Sequence, residues 1–227
     1  MCLIVAAWRA HPAYRLIVAA NRDEFHGRPA SPAAFWSDRP QILGGRDLEA
    51  KGTWMAVSRS GRFAAVTNYR GAREPSAAES RGALVTRFLD SGDSSAAYMA
   101  DVAEKASRYS GFNLLACDGA ELWWSSNRDG APRRLEAGFH ALGNLLLDSP
   151  EVVPIRERAR SVIETAPAVE ALFTVLGEAR IVNPQYGTRC STVLLLSTDG
   201  RVRYAERSFA ADGTEGETLQ YEFSTQA

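Results

Sequence analysis

Short apolar and β-branched runs, broken by small polar clusters, dominate the chain. Residues 3–8 (Leu-Ile-Val-Ala-Ala-Trp) and 14–20 are two such runs, and Arg9-Ala10-His11-Pro12-Ala13 between them suits a turn. Residues 52–58 and 62–69 flank Arg59-Ser60-Gly61, and residues 112–117 and 121–126 flank Asp118-Gly119. Residues 191–197 and 201–207 flank Thr198-Asp199-Gly200. Asp-Gly between two strand-like runs is a strong hairpin signal, because the turn it favours matches the twist of paired strands. Residues 138–143 and 218–223 read as further strands, and the Gly44-Gly45 pair reads as a turn.

The pattern changes to helical spacing in two regions only. Residues 80–89 and 94–109 form one block, the second opening on serines that suit a cap. Residues 152–164 and 168–179 form the other, with Val152, Ile155, Ala159 and Ile163 on one face and arginines elsewhere. Consecutive hairpins make antiparallel sheets, since parallel pairing needs long crossovers. The expected fold is therefore α+β: two antiparallel sheets flanked by helix pairs, in one domain over residues 1–227. Residues 72–80 and 211–217 are the expected loops.

Composition narrows the function without naming it. The chain is 45% hydrophobic and 23% charged, which is ordinary globular content. A net charge of -1 argues against a general affinity for nucleic acid or an anionic membrane. No apolar stretch is long enough to cross a bilayer or to serve as a signal peptide. Cys2, Cys117 and Cys190 are widely spaced, odd in number and without CxxC, which reads as reduced thiols in a cytoplasmic protein. The histidines, His11, His26 and His140, make no metal-ligand pattern.

Cys2 carries the candidate chemistry. Methionine aminopeptidases remove Met1 when the next side chain is small, and cysteine qualifies. The mature chain would then hold a thiol and an α-amine on one residue, and an α-amine titrates near 7.7–8.0. A nucleophile with its own base is the arrangement of N-terminal-nucleophile hydrolases. Position alone also allows a plain reading, in which Cys2 is a small hydrophobe opening a buried strand. A first hairpin turning near His11 sets Cys2 across from residues 20–22 and brings Asn21-Arg22-Asp23-Glu24 beside it. By strand alternation, an Asp23 that faces Cys2 takes Asn21 with it and turns Arg22 and Glu24 away. Such a carboxylate orients an ammonium, and an amide donor holds an oxyanion; turn and cap hydrogen bonds are the alternative use.

Met-Cys-Leu-Ile at the start, Leu16-Ile17-Val18-Ala19-Ala20-Asn21-Arg22-Asp23-Glu24-Phe25, and Arg28-Pro29 begin a series of blocks. The series continues through Gly44-Gly45-Arg46-Asp47, Gly52-Thr53-Trp54, Ala65-Val66-Thr67-Asn68-Tyr69-Arg70, Ser80-Arg81-Gly82 and Gly111-Phe112-Asn113-Leu114. It ends with Leu142-Gly143-Asn144, Leu147-Asp148-Ser149-Pro150, Tyr186-Gly187-Thr188-Arg189, Ser191-Thr192 and Glu206-Arg207-Ser208-Phe209. In these blocks the chain resembles the NRDE family of transport-and-Golgi-organisation-like proteins. That family is similar, more distantly, to N-terminal-nucleophile hydrolases of the cholylglycine hydrolase and penicillin V acylase kind. The resemblance implies an αββα sandwich of two antiparallel sheets. It assigns Cys2 as nucleophile, Asp23 as the carboxylate at the amine, Asn68 and Asn144 as the oxyanion and active-site asparagines, and Arg189 as the later active-site arginine. Asn21, Arg22, Glu24, Arg46 and Tyr69 follow as expected ligand contacts.

One departure stands out. The hydrolases have an arginine directly before their Asn-x-Asp, where this chain has Ala20, so that arginine is absent or replaced by Arg189. The resemblance implies either attack by Cys2 on an amide or thioester of an acylated small molecule, or binding without catalysis of haem in transit or of acyl-coenzyme A and lipid. No cofactor is required. Haem is expected only as a carried ligand, for which His26 and His140 are the plausible soft axial ligands.

Overall fold

The computed structural model describes residues 2–71 and 78–226. Most of the expected 72–80 loop lies outside them. The chain forms two compact units that interleave along the sequence, one from residues 1–28, 137–143 and 147–225, the other from 29–136, 144–146 and 226–227. Every strand pair in both is antiparallel, as the hairpin signals require.

The first unit is a six-stranded sheet in the order β10-β1-β2-β11-β12-β13. Its strands are β1 (Leu3–His11), β2 (Tyr14–Phe25), β10 (Gly138–Leu142), β11 (Tyr186–Ser197), β12 (Arg201–Phe209) and β13 (Glu215–Ser224). Helices α3 (Val153–Thr165) and α4 (Val169–Gly177) cover one face. Leu3, Val5, Ala7, Ile17, Ala19, Val193 and Leu195 point to that face and pack with Ala159, Ile163, Leu172 and Leu176. The alternate positions Ile4, Ala6, Trp8, Leu16, Val18 and Ala20 are also buried. Burial on both faces explains why these strands read as unbroken apolar runs rather than as alternation. The β1–β2 ladder runs from Trp8 opposite Leu16 to Leu3 opposite Asn21, which brings the start of the chain to the far end of β2.

The second unit is a seven-stranded sheet in sequential order, β3-β4-β5-β6-β7-β8-β9. The strands are β3 (Ala30–Trp36), β4 (Arg39–Asp47), β5 (Met55–Ser58), β6 (Phe63–Asn68), β7 (Phe112–Cys117), β8 (Leu122–Ser126) and β9 (Arg133–Leu135). Helices α1 (Gly82–Asp90) and α2 (Ser95–Glu104) set Leu84, Val85, Phe88, Met99 and Val102 against Ile42, Ala56, Ala64, Leu114 and Ala116 of the sheet. Ser94 caps α2 by accepting from the Ala97 N–H at 3.2 Å, where an uncapped donor would cost about 1 kcal/mol. The helix stops at Glu104, short of the expected 109, and a turn of 3₁₀-helix follows.

The expected turn at Gly44-Gly45 is instead the interior of β4. A Cβ at Gly44 would lie 2.7 Å from Ala56 Cβ, and one at Gly45 would lie 2.3 Å from the Trp54 ring. Both glycines serve close packing within a sheet, not chain reversal. Strand β13 likewise begins at Glu215, inside the expected 211–217 loop.

Candidate active site

Cys2 is half-buried at the open end of the β1–β2 hairpin. Its Sγ donates to the Asp23 carbonyl at 3.3 Å and receives the Asp23 N–H at 3.4 Å. Burial, and secondly the Asp23 carboxylate, push the thiol up to about 11; the Asp23 N–H and the Arg22 charge oppose that rise. At neutral pH the sulfur is therefore a protonated thiol held in place by one residue's backbone.

Asp23 is itself almost fully buried. Its Oδ1 accepts from the Thr188 hydroxyl at 2.6 Å, and Thr188 Oγ1 accepts in turn from the Ile181 N–H at 2.9 Å. Tyr186 donates its hydroxyl to the Asp23 carbonyl at 3.3 Å. Two residues of β11 thus fix the Asp23 carboxylate and the Asp23 backbone, of which the backbone meets Cys2. Neither stood out in the sequence as a site residue. Their signal was the Tyr186-Gly187-Thr188-Arg189 block, read for its arginine alone.

The four residues of the motif divide by face, and not in the expected way. Asn21 lies on the helix side: its Nδ2 donates to the Leu176 carbonyl at 2.9 Å, and its Oδ1 accepts from Ser191 at 2.6 Å. The ladder, continued one step past Leu3 opposite Asn21, sets Cys2 across from Arg22. Cys2 and Arg22 occupy the positions that follow Ile4 and Ala20 on the face away from α3 and α4. The expectation that Arg22 turns away from Cys2 while Asn21 turns toward it is corrected. It failed because Asp23 reaches the thiol through its backbone, so its side chain carries no face information. Glu24 Oε2 stands 3.9 Å from Arg22 and 3.8 Å from Arg28, and its Oε1 accepts from the Phe25 N–H.

Arg189 sits at the register shift in β11 between Thr188 and Cys190. Its Nη1 donates to the carbonyls of Phe25, His26 and Arg28 at 3.0–3.2 Å. The residue that the resemblance assigned as the later active-site arginine holds the turn after β2. His26 Nε2 bonds the Asn183 carbonyl, and His140 pairs with Asp148.

In the second unit, Asn144 donates its Nδ2 to the Asn68 carbonyl at 2.7 Å, and the Arg70 N–H returns a bond to the Asn144 carbonyl. Nearby Asn113 is fully buried and donates to Thr67 Oγ1 and the Leu145 carbonyl. Arg46 forms a two-pronged bond with Asp38 and stacks over Trp36, and the Tyr69 N–H pairs with Gly111. Among the described residues no cluster of His, Cys, Asp and Glu is placed to hold a metal ion, and no helix is long and apolar enough to cross a membrane.

The profile of the family described as Transport and Golgi organisation 2 matches residues 1–184. The chain belongs to that family. A Transport and Golgi organization protein 2 homolog from Bos taurus is 35% identical over an alignment that covers the whole of both chains, and the Homo sapiens homolog is 33% identical with the same coverage. Among solved structures the fold of this family member is similar to that of N-terminal-nucleophile hydrolases. A Caenorhabditis elegans N-acylethanolamine-hydrolyzing acid amidase ortholog superimposes with a TM-score of 0.53 at 13% identity, covering 86% of this chain and 92% of that one. The C2A mutant of a conjugated bile acid hydrolase from Clostridium perfringens gives 0.58 at 9% identity, covering 99% and 98%. These likenesses confirm the expected fold class.

Proposed function

We propose that this protein is an N-terminal-nucleophile hydrolase of acylated small molecules, with Cys2 as nucleophile once Met1 is removed. The observation that carries the proposal is the meeting of Cys2 with Asp23, whose buried carboxylate is braced by Thr188. A thiol at about 11 is a poor nucleophile where it stands. An α-amine on the same residue changes that, because it takes the thiol proton as sulfur bonds to the acyl carbon. The Asp23 carboxylate stabilises the resulting ammonium. The developing oxyanion calls for N–H donors beside the acyl carbon. The C–N or C–S bond of the substrate then breaks, and the leaving group takes the proton back from the ammonium. Water attacks the acyl-thioester, the amine takes the water proton and returns it to the departing sulfur, and a carboxylic acid leaves. The named activities of the two hydrolase neighbours support an acylated substrate.

The raised thiol also favours a second reading, in which the site binds haem or acyl-coenzyme A and does no chemistry. One experiment separates them. Purified protein from the native host is weighed intact, then assayed for hydrolysis of N-acyl amides and acyl thioesters beside Cys2→Ala. Complete loss of Met1 and hydrolysis abolished by Cys2→Ala support the enzyme. Retained Met1, with saturable haem or acyl-coenzyme A binding that survives Cys2→Ala, supports the carrier.

A further inference from the structure

At the start of β1, on its helix side, a hollow of about 410 Å³ opens in the first unit. Leu3, Pro154, Ile155, Ala179 and Ile181 make its apolar walls. Leu3 is 1% exposed and points to the helices, whereas Cys2 lies on the face away from them, so the hollow is not the mouth of the Cys2 site. The walls are held from behind. Ile155 and Ala179 pack on the core that contains Leu3. The Ile181 N–H donates to Thr188 Oγ1 and the Ile181 carbonyl accepts from the Thr188 N–H, each at 2.9 Å. Arg158 on α3 gives a two-pronged bond to Glu178 just past α4, at 2.9 and 3.3 Å, and so ties the two helices across the rim. Small-molecule sites are preformed, mainly apolar hollows of about 300–1,000 Å³ with a few polar groups, and this one fits that description. The charges on its rim narrow the occupant. Arg158 and Glu178 cancel each other. Glu151, just before α3, is the remaining ionisable group of the lining, and its carboxylate makes no hydrogen bond or ion pair with the described residues.

We propose that this hollow is a second small-molecule site, separate from Cys2, and that its ligand is an amphipathic primary amine. The apolar body lies against Leu3, Pro154, Ile155, Ala179 and Ile181, and the ammonium donates to the Glu151 carboxylate. An ammonium on a carboxylate makes a charge-assisted bond, stronger than a neutral one. An anionic head meets Glu151 instead and finds both prongs of Arg158 engaged by Glu178. A neutral chain of the same length gains the walls without the ion pair. Hydrolysis of an N-acyl amide releases an amine when the C–N bond breaks, so the proposed reaction would itself supply this class of ligand. The binding claim does not rest on that reading, because it is measured without turnover.

Isothermal titration calorimetry of the full chain at neutral pH compares n-octylammonium with 1-octanol and octanoate, which share a chain and differ in the charge of the head. Octylammonium is expected to saturate one site and to bind about tenfold more tightly than octanol, with octanoate weakest. Glu151→Gln is expected to bring octylammonium down to the octanol value and to leave octanol unchanged. Glu178→Gln, which releases Arg158, is expected to strengthen octanoate. Both glutamates are exposed, so neither exchange threatens the fold. Ile181→Ala takes away a wall, keeps the backbone bonds to Thr188, and is expected to weaken octylammonium and octanol alike by about fivefold. No saturable binding of octylammonium overturns the proposal, as does octanoate binding as tightly as octylammonium, or an octylammonium affinity that Glu151→Gln or Ile181→Ala leaves unchanged. An octanoate affinity unmoved by Glu178→Gln removes the charge argument and, with it, the choice of an amine. If Ile181→Ala does not fold, the two exposed variants decide alone.

Discussion

Replacing Asn21 with alanine tests whether the Asn-Arg-Asp-Glu stretch is one functional unit or a fold residue beside a chemical one. Asn21 is 2% exposed and bridges three elements: β2, the last turn of α4 through the Leu176 carbonyl, and β11 through Ser191. Alanine removes both bonds, each contributing about 1 kcal/mol net. The Leu176 carbonyl keeps the Ala179 N–H at 3.1 Å, so only its second lone pair is vacated. The buried Ser191 hydroxyl loses its acceptor, which costs about 1 kcal/mol more. The sum is about 3 kcal/mol, or a fall in Tm of roughly 6–12 °C for a chain of this size. Differential scanning calorimetry reads the shift, and alkylation of the folded variant at low temperature reads the site. The account expects a large thermal loss with Cys2 reactivity within about twofold of wild type, since a fold residue on the opposite face adds little to the local potential. A Tm within about 2 °C of wild type, with Cys2 reactivity lost, would refute the division by face.

Further consequences concern the thiol, the glycines and an acid-sensitive turn. In a chain that keeps Met1, a Cys2 thiol at about 11 instead of 9.0 is alkylated roughly 100-fold more slowly at pH 8 than an ordinary thiol, and the rate climbs tenfold per pH unit beyond pH 9. A plateau near pH 9 would contradict the burial. Gly45→Ala forces the Trp54 ring aside from a 2.3 Å contact, and urea denaturation should report a loss of about 1–3 kcal/mol. Asp148 adopts φ 56, which asparagine tolerates, so Asp148→Asn isolates the charge. Burial raises the Asp148 pKa, but bonds from His140, the Ala141 N–H and Arg156 outweigh it and hold it below 3.8. Its contribution is therefore present above pH 3.8 and lost as pH falls through the lower folded value. The stability gap between wild type and Asp148→Asn should be largest near neutrality and close in acid. A gap that widens in acid refutes the assignment.

The hairpins were legible because Asp-Gly turns and apolar runs are local signals. The first of them predicted the approach of Cys2 to residues 20–22 that the Leu3–Asn21 register displays. Strands β3 and β4 were missed because Pro32 and Gly44-Gly45 interrupt the apolar pattern. Those glycines answer to Ala56 and Trp54, neighbours that appear only once the sheet forms. The site was legible in its residues and not in its faces. Asp23 meets Cys2 through the main chain, and the register shift at Arg189 leaves Arg189 to hold backbone carbonyls. Alternation counted from sequence sees neither a backbone contact nor a bulge.

The central claim is that Cys2, with its own α-amine, forms an acyl bond. The most direct measurement is a rapid acid quench of the enzyme with an N-acyl amide, followed by peptide mapping of the first peptide. The account predicts a peptide beginning at Cys2 and carrying one acyl group on sulfur, released by hydroxylamine and absent from Cys2→Ser. Hydrolysis of that substrate with the first peptide unmodified at every quench time, or with Met1 still attached, would contradict it.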